Sequence, residues 1–178
     1  MKKEIFQTIE IPKGVEAEIN GNTLIIKGPE GENKKTFNTN KLVFEKKENS
    51  IIIGSKKATK TEKRMINTIT AHINNMVKGV QEKFEYKLKI CFSHFPFSIE
   101  IKGDEAIIKN FLGEKIPRKL KISGEVDINK DIITIKSVDK ELAGQIAANF
   151  EQATRIKSKD KRVFQDGCYI ISKDGRGV

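Results

Sequence analysis

The chain is poor in the residues that do chemistry. It has two histidines, two cysteines, four prolines and no tryptophan in 178 residues. Cys91 and Cys168 form neither a CxxC pair nor a metal-ligand spacing, so two reduced thiols in a cytosolic chain are expected rather than a disulfide or a zinc site. No apolar stretch approaches the roughly 20 residues of a membrane span. The opening, MKKEIFQTIEIPKG, has two lysines with no apolar run behind them, so no signal peptide is expected. GxSxG, HExxH and DxD are all missing. Neither His72 nor His94 has a nucleophile or carboxylate placed beside it by spacing. His72 falls between Ile69 and Ile73 and reads as a packing or interface residue; His94 sits in an aromatic turn, SHFPF; Asp104 and Glu105 read as a solvated hairpin turn. No catalysis is expected.

What the chain does have is positive charge and a repeat. Lys and Arg number 34 against 24 Asp and Glu, a net charge of +10. That balance favours a polyanionic partner, most often nucleic acid and less often a membrane surface. AEINGNTLIIKGPEGE (residues 17–32) recurs as IEIKGDEAIIKNFLGE (residues 99–114), with eight identities in sixteen aligned positions. Such a repeat marks one structural unit used twice.

In each copy, alternating apolar residues around NGN or KGD predict a hairpin. A loop follows, KGPEGEN in one copy and NFLGEKIPRK in the other. Next comes a strand pair, turning at residues 48–50 and 129–131. Last is a helix, read from Met65, Ile69, Ile73, Met76, Val77 and Val80 in the first copy. In the second it is read from Val138, Leu142, Ile146, Phe150 and Ala153. Ser55 is expected near the N-cap of the first helix and Gly79 at its stop; Asp139 is expected to cap the second. The fold class is therefore α+β: two tandem similar domains from an internal duplication, 1–82 and 83–178, each a small, mostly antiparallel sheet covered by one helix. No linker rich in Pro, Gly or Ser separates them.

Three basic segments are candidate contacts. Arg155, Lys157, Lys159 and Lys161 alternate; in an extended strand they would project to one side, about 6–7 Å apart, near the spacing of successive phosphates. Arg162, Phe164 and Gln165 add a guanidinium fork, a stacking ring and an amide, groups that RNA readers use. The alternative is a solvated strand with Phe164 buried. Lys56, Lys57, Lys60, Lys63 and Arg64 gather at the expected start of the first helix, where cations oppose the helix dipole and a phosphate would relieve them; a solvated helix start is the alternative. Lys115, Arg118 and Lys119 lie in the second loop, which lacks the Walker spacing and so reads as a basic loop touching phosphates or solvent.

These stretches also resemble a known family. IPKGVEAEINGNTLIIKGPEGE, AHINNMVKGVQEKFEYKL, FSHFPFSIEI, NFLGEK-PRK and above all ATRIKSKDKRVFQDGCYI are similar to the large-subunit ribosomal protein L-six family, in its archaeal and eukaryotic branch, over residues 5–172. The chain departs from the usual pattern at Asn67-Thr68, where Gly-Thr is common, at Thr70 in place of an arginine, and at Lys83 in place of a glycine; the tail KDGRGV matches nothing. The resemblance implies binding to large-subunit rRNA chiefly through the second domain, a place near the base of the factor-binding stalk and the sarcin–ricin loop, and a cytoplasmic location in the ribosome. It also implies neighbouring ribosomal proteins and translation factors nearby, with no membrane, small-molecule substrate or cofactor. A protein–protein adaptor using the helix face with His72, insensitive to salt, and a module for another polyanion are the rival readings.

Overall fold

The structure is a computed structural model that describes residues 3–39, 42–47, 49–160 and 162–177. The chain divides into two compact units, Met1–Lys83 and Phe84–Val178. Among the described residues no helix is long and apolar enough to cross a membrane.

Among the described residues the first unit holds six strands and a helix: β1 (Lys3–Glu10), β2 (Glu16–Asn20), β3 (Thr23–Gly28), β4 (Gly31–Thr36), β5 (Val43–Lys47), β6 (Ser50–Ala58) and α1 (Lys60–Gln81). They form two three-stranded antiparallel sheets, β1-β6-β5 and β2-β3-β4. The alternation in β3 sends Leu24 and Ile26 into the core, where both are fully buried. Ile66, Ile69, Ile73, Met76, Val77 and Val80 of α1 close over them at three- and four-residue steps.

Several expected boundaries move. Ser55 lies within β6, and the N-cap of α1 is Thr59, whose backbone N–H donates to Glu62 Oε2 at 2.9 Å, one half of a capping box. The helix passes through the buried Gly79 and ends two residues later, where the Glu82 N–H donates to Lys78 O at 2.9 Å. KGPEGEN is a two-residue turn rather than a loop: Gly28 pairs with Gly31, and Glu32 and Asn33 already belong to β4. The turn is tight because the helix end sits on it. A Cβ on Gly28 would lie 2.7 Å from Val80 O, and Glu30 N–H donates to that same carbonyl at 3.0 Å. β1, which the repeat does not include, alternates inward Ile5, Gln7 and Ile9 with exposed Phe6, Thr8 and Glu10.

The departures from the family pattern acquire partners. Gln7 of β1 donates to Asn67 Oδ1 at 2.9 Å and accepts from Thr70 Oγ1 at 2.5 Å, so both residues bind helix to sheet. The Lys83 ammonium lies 4.0 Å from Glu30.

The second unit repeats this order, with most counterparts near 82 residues on: β7 (Phe84–Cys91), β8 (Ser98–Lys102), β9 (Glu105–Lys109), β10 (Arg118–Lys121), β11 (Glu125–Asn129), β12 (Ile132–Ser137) and α2 (Lys140–Ala153). Asp139 caps α2 as expected, accepting from Glu141 N at 2.9 Å. Val138 lies outside the helix. Ala143, Ile146, Ala147 and Phe150 cover Phe84, Leu88, Ile133 and Ile135 in one buried core.

Two features have no counterpart in the first unit. A short turn, Phe111–Gly113, and an irregular stretch stand between β9 and β10, with Asn110 and Leu112 at positive φ. After α2 the chain continues into β13 (Gly167–Lys173) and β14 (Arg176–Gly177). These extend the main sheet to β11-β12-β7-β13-β14, so β7 is flanked where its counterpart β1 is an edge.

Candidate nucleic-acid interface

The basic segment after α2 is not a strand. Residues 155–157 have no regular structure, the chain bends at Ser158 with φ 59°, and a turn follows before β13. The expected one-sided alternation of Arg155, Lys157 and Lys159 is therefore replaced by a folded loop, and Lys161 lies outside the described residues. The reason is local chemistry. Asp160 Oδ1 accepts from Arg162 N at 2.9 Å, and Asp160 O accepts from Val163 N at 3.2 Å and Phe164 N at 2.9 Å. A short carboxylate bonding its own backbone two residues on favours a turn over a strand. Arg155, Lys157, Lys159, Arg162 and Gln165 are all exposed on this loop.

Its two ends are fixed by buried polar groups. At the start, Thr154 Oγ1 donates to Phe150 O at 2.9 Å, ending α2, and accepts from Cys168 N at 2.9 Å, tying the helix end to β13. The Cys168 thiol beside it is pushed up to about 12 by burial. At the far end Asp166, 1% exposed, accepts from the backbone N–H of both Ser93 and His94, and its Oδ2 lies 2.9 Å from His94 Nδ1. Burial alone would raise this carboxyl; the hydrogen bonds from His94 and Ser93 outweigh it and hold the group below the usual aspartate value. The His94 ring stacks on Phe164 with centroids 4.3 Å apart, and Lys159 Nζ lies 4.3 Å from the centre of the Phe164 ring. Phe164, expected as a stacking ring for a base, is thus half-buried and stacked within the unit.

The loop between β9 and β10 meets the same end. Arg118, expected as an RNA contact, is turned inward. Its Nε donates to Glu114 Oε2 at 2.8 Å, Nη2 pairs with Glu114 Oε1, Nη1 donates to Ala153 O, and the guanidinium lies 4.6 Å from the centre of the Phe111 ring. It caps the C-terminus of α2, where a cation complements the dipole. The hydrogen bonds from Arg118 hold the Glu114 carboxyl below its usual value. Lys115 and Lys119 remain exposed, Lys119 3.8 Å from Glu105. The turn at Gly113 packs near Phe95: a Cβ there would lie 3.6 Å from that ring. Three loops (92–97, 110–117 and 154–166) therefore converge at one end of the unit.

In the first unit, Lys56 and Lys57 stand exposed on β6 rather than at the helix start. Lys60, Lys63 and Arg64 line an open groove along the outer face of α1 with Asn67, His72 and Asn75. His72 Nδ1 lies 3.3 Å from Lys35 Nζ, and its ring is 6.2 Å from Phe37. Among the described residues no group of three His, Cys, Asp or Glu side chains is placed to hold a metal ion.

Sequence reading missed Asp166 and gave His94 no partner. They lie 72 residues apart, and only the pairing of β13 with β7, Gly167 opposite Cys91, brings them together.

Comparison with known proteins agrees with this architecture. The family described as Ribosomal protein L6 matches twice, over residues 11–83 and 95–167. "Large ribosomal subunit protein uL6" of Methanobrevibacter smithii is 45% identical over 172 residues, covering 96% of this chain and 97% of the relative. The proteins of the same description from Methanothrix thermoacetophila and Methanosarcina mazei are 39% and 41% identical, each over 97% of this chain and 99% of the relative. With a duplicated family match and archaeal relatives aligned almost end to end, the chain belongs to the ribosomal protein L6 family, a structural and non-enzymatic one.

Proposed function

We propose that the chain is a constituent of the large ribosomal subunit that binds large-subunit rRNA, chiefly through the loop end of its second unit. The observation that carries this reading is the convergence there of exposed Lys115, Arg155, Lys157, Lys159 and Arg162 on loops held by the Arg118 cap on α2 and by the buried Thr154 and Asp166, with Lys119 adding an exposed cation on β10. rRNA presents phosphates and 2′-hydroxyls on a fixed shape, and fixed cations suit it. Arg118 and Phe164 serve this surface by holding the loops. Lys56, Lys57, Lys60 and Arg64 form a second, smaller contact in the first unit. We also propose a place near the base of the factor-binding stalk and the sarcin–ricin loop, with ribosomal proteins and translation factors as neighbours; its support is the family resemblance of ATRIKSKDKRVFQDGCYI.

The test is gradient sedimentation of cell extract at stepwise raised salt. The chain should travel with the large subunit and leave only at high salt. Sedimentation at the top of the gradient even at low salt would contradict the reading. The adaptor alternative, through the groove along α1 that His72 lines, predicts binding independent of salt.

A further inference from the structure

The loop 155–165 holds its cations in a fold that no strand or helix enforces. What enforces it at the far end is Asp166, His94 and Phe164. Asp166 is buried, yet it lies one residue past the exposed Gln165. Among the described residues its hydrogen-bond partners belong to residues 93 and 94: two backbone N–H groups and the His94 ring. The same imidazole stacks on Phe164, interplanar angle 22°, so one side chain grips the loop at two points. Lys159 closes the arrangement, its ammonium lying over the Phe164 ring. A buried carboxylate accepting charge-assisted hydrogen bonds from another loop is costly to leave unpartnered, so this contact is held or lost as a whole.

We propose that Asp166, His94 and Phe164 form a latch that fixes the basic loop in the shape that selects large-subunit rRNA over other RNA. This rests on the rRNA-binding reading above and adds to it the origin of selectivity. Attraction between cations and phosphates is independent of sequence and survives in a loosened loop. Matching cations to phosphates on one folded RNA requires fixed positions. The three are positioning residues, and they act through Arg155, Lys157, Lys159 and Arg162.

The experiment measures binding of the full-length chain to large-subunit rRNA and to poly(U) at one salt concentration, with amide hydrogen exchange of residues 155–165 alongside. His94→Ala removes both grips from a half-exposed side chain and leaves the core untouched; Asp166→Asn keeps the volume and removes the charge. In both variants exchange in the loop should speed up. The preference for rRNA over poly(U) should fall about tenfold, the size of one lost charge-assisted hydrogen bond, while poly(U) affinity stays within about twofold. Because the two residues share one contact, the double variant should lose scarcely more than either single one. An unchanged preference in a loosened loop would overturn the latch, and so would equal losses for both RNAs. Lys157→Glu/Lys159→Glu separates this from the parent reading. If that variant binds rRNA as the wild type does, the loop is not the interface; if it binds weakly while His94→Ala keeps its preference, the latch alone fails.

Discussion

The two units share a plan and differ in where they keep their charge. The first, residues 1–83, carries 16 basic and 10 acidic side chains; the second, residues 84–178, carries 18 and 14. By net charge the first is the more basic, +6 against +4. Within the second unit, however, residues 84–154 are neutral, with 11 of each sign, and the whole excess lies in residues 155–178. A concentrated excess on a pinned loop creates a stronger local field than a larger one spread over a surface, because exposed charges beyond about 8–10 Å are screened. The duplication supplied two equivalent scaffolds; the chain after α2 and the stretch between β9 and β10 made one of them different.

The largest test of that scaffold equivalence is in the cores. Phe150→Ala in α2 should cost about 3–5 kcal/mol and Ile73→Ala in α1 about 2–5 kcal/mol, since both side chains are fully buried. Denaturant unfolding monitored by amide exchange in each unit would localise each loss, and a Phe150→Ala loss below about 1 kcal/mol would contradict the packing described. A smaller effect sharpens the difference at corresponding turns. Gly28→Ala forces a Cβ against Val80 O and should cost about 1–3 kcal/mol. Its counterpart Asn110 already carries a side chain, which donates to Pro96 O at 2.9 Å.

Next is the division of labour within one loop. Arg118→Ala should cost about 1 kcal/mol through the lost cap on α2 and the half-exposed pair with Glu114. Lys115→Ala should stay within about 0.5 kcal/mol, yet it should weaken rRNA binding. Thermal unfolding and a binding titration on both variants check this reversal.

The smallest effect is in acid. Asp166 has its folded value below its unfolded one, so its contribution is present above about pH 4 and lost as pH falls through the folded value. Acid titration by NMR should shift the Ser93 and His94 amides together, and Asp166→Asn should abolish that step.

How much was legible beforehand follows from the range of each interaction. The hairpins, the helices and the repeat depend on periodicity and on turn residues close in sequence, so AEINGNTLIIK and its echo revealed them. The N-cap was misplaced by four residues because Ser55 is a good capping type, and only the long pairing of β6 with β1 keeps it in a strand. The geometry of the basic loop was misread for a similar reason. Alternation of Arg155, Lys157 and Lys159 is a strand pattern, but Asp160 bonds its own backbone, and the anchor at Asp166 requires a partner 72 residues away. Arg118 looked like a phosphate ligand because the carbonyl it caps, Ala153 O, is 35 residues distant.

The most direct measurement is the salt dependence of binding to large-subunit rRNA for three proteins: the wild type, Lys157→Glu/Lys159→Glu in the second unit and Lys56→Glu/Lys57→Glu in the first. The slope of log affinity against log salt should fall by roughly 1 for each phosphate contact removed. It should flatten by about 2 in the second-unit variant and by less in the first-unit one. Equal flattening in both, or none in the second, would contradict the claim that the pinned loop of the second unit is the principal RNA-binding surface.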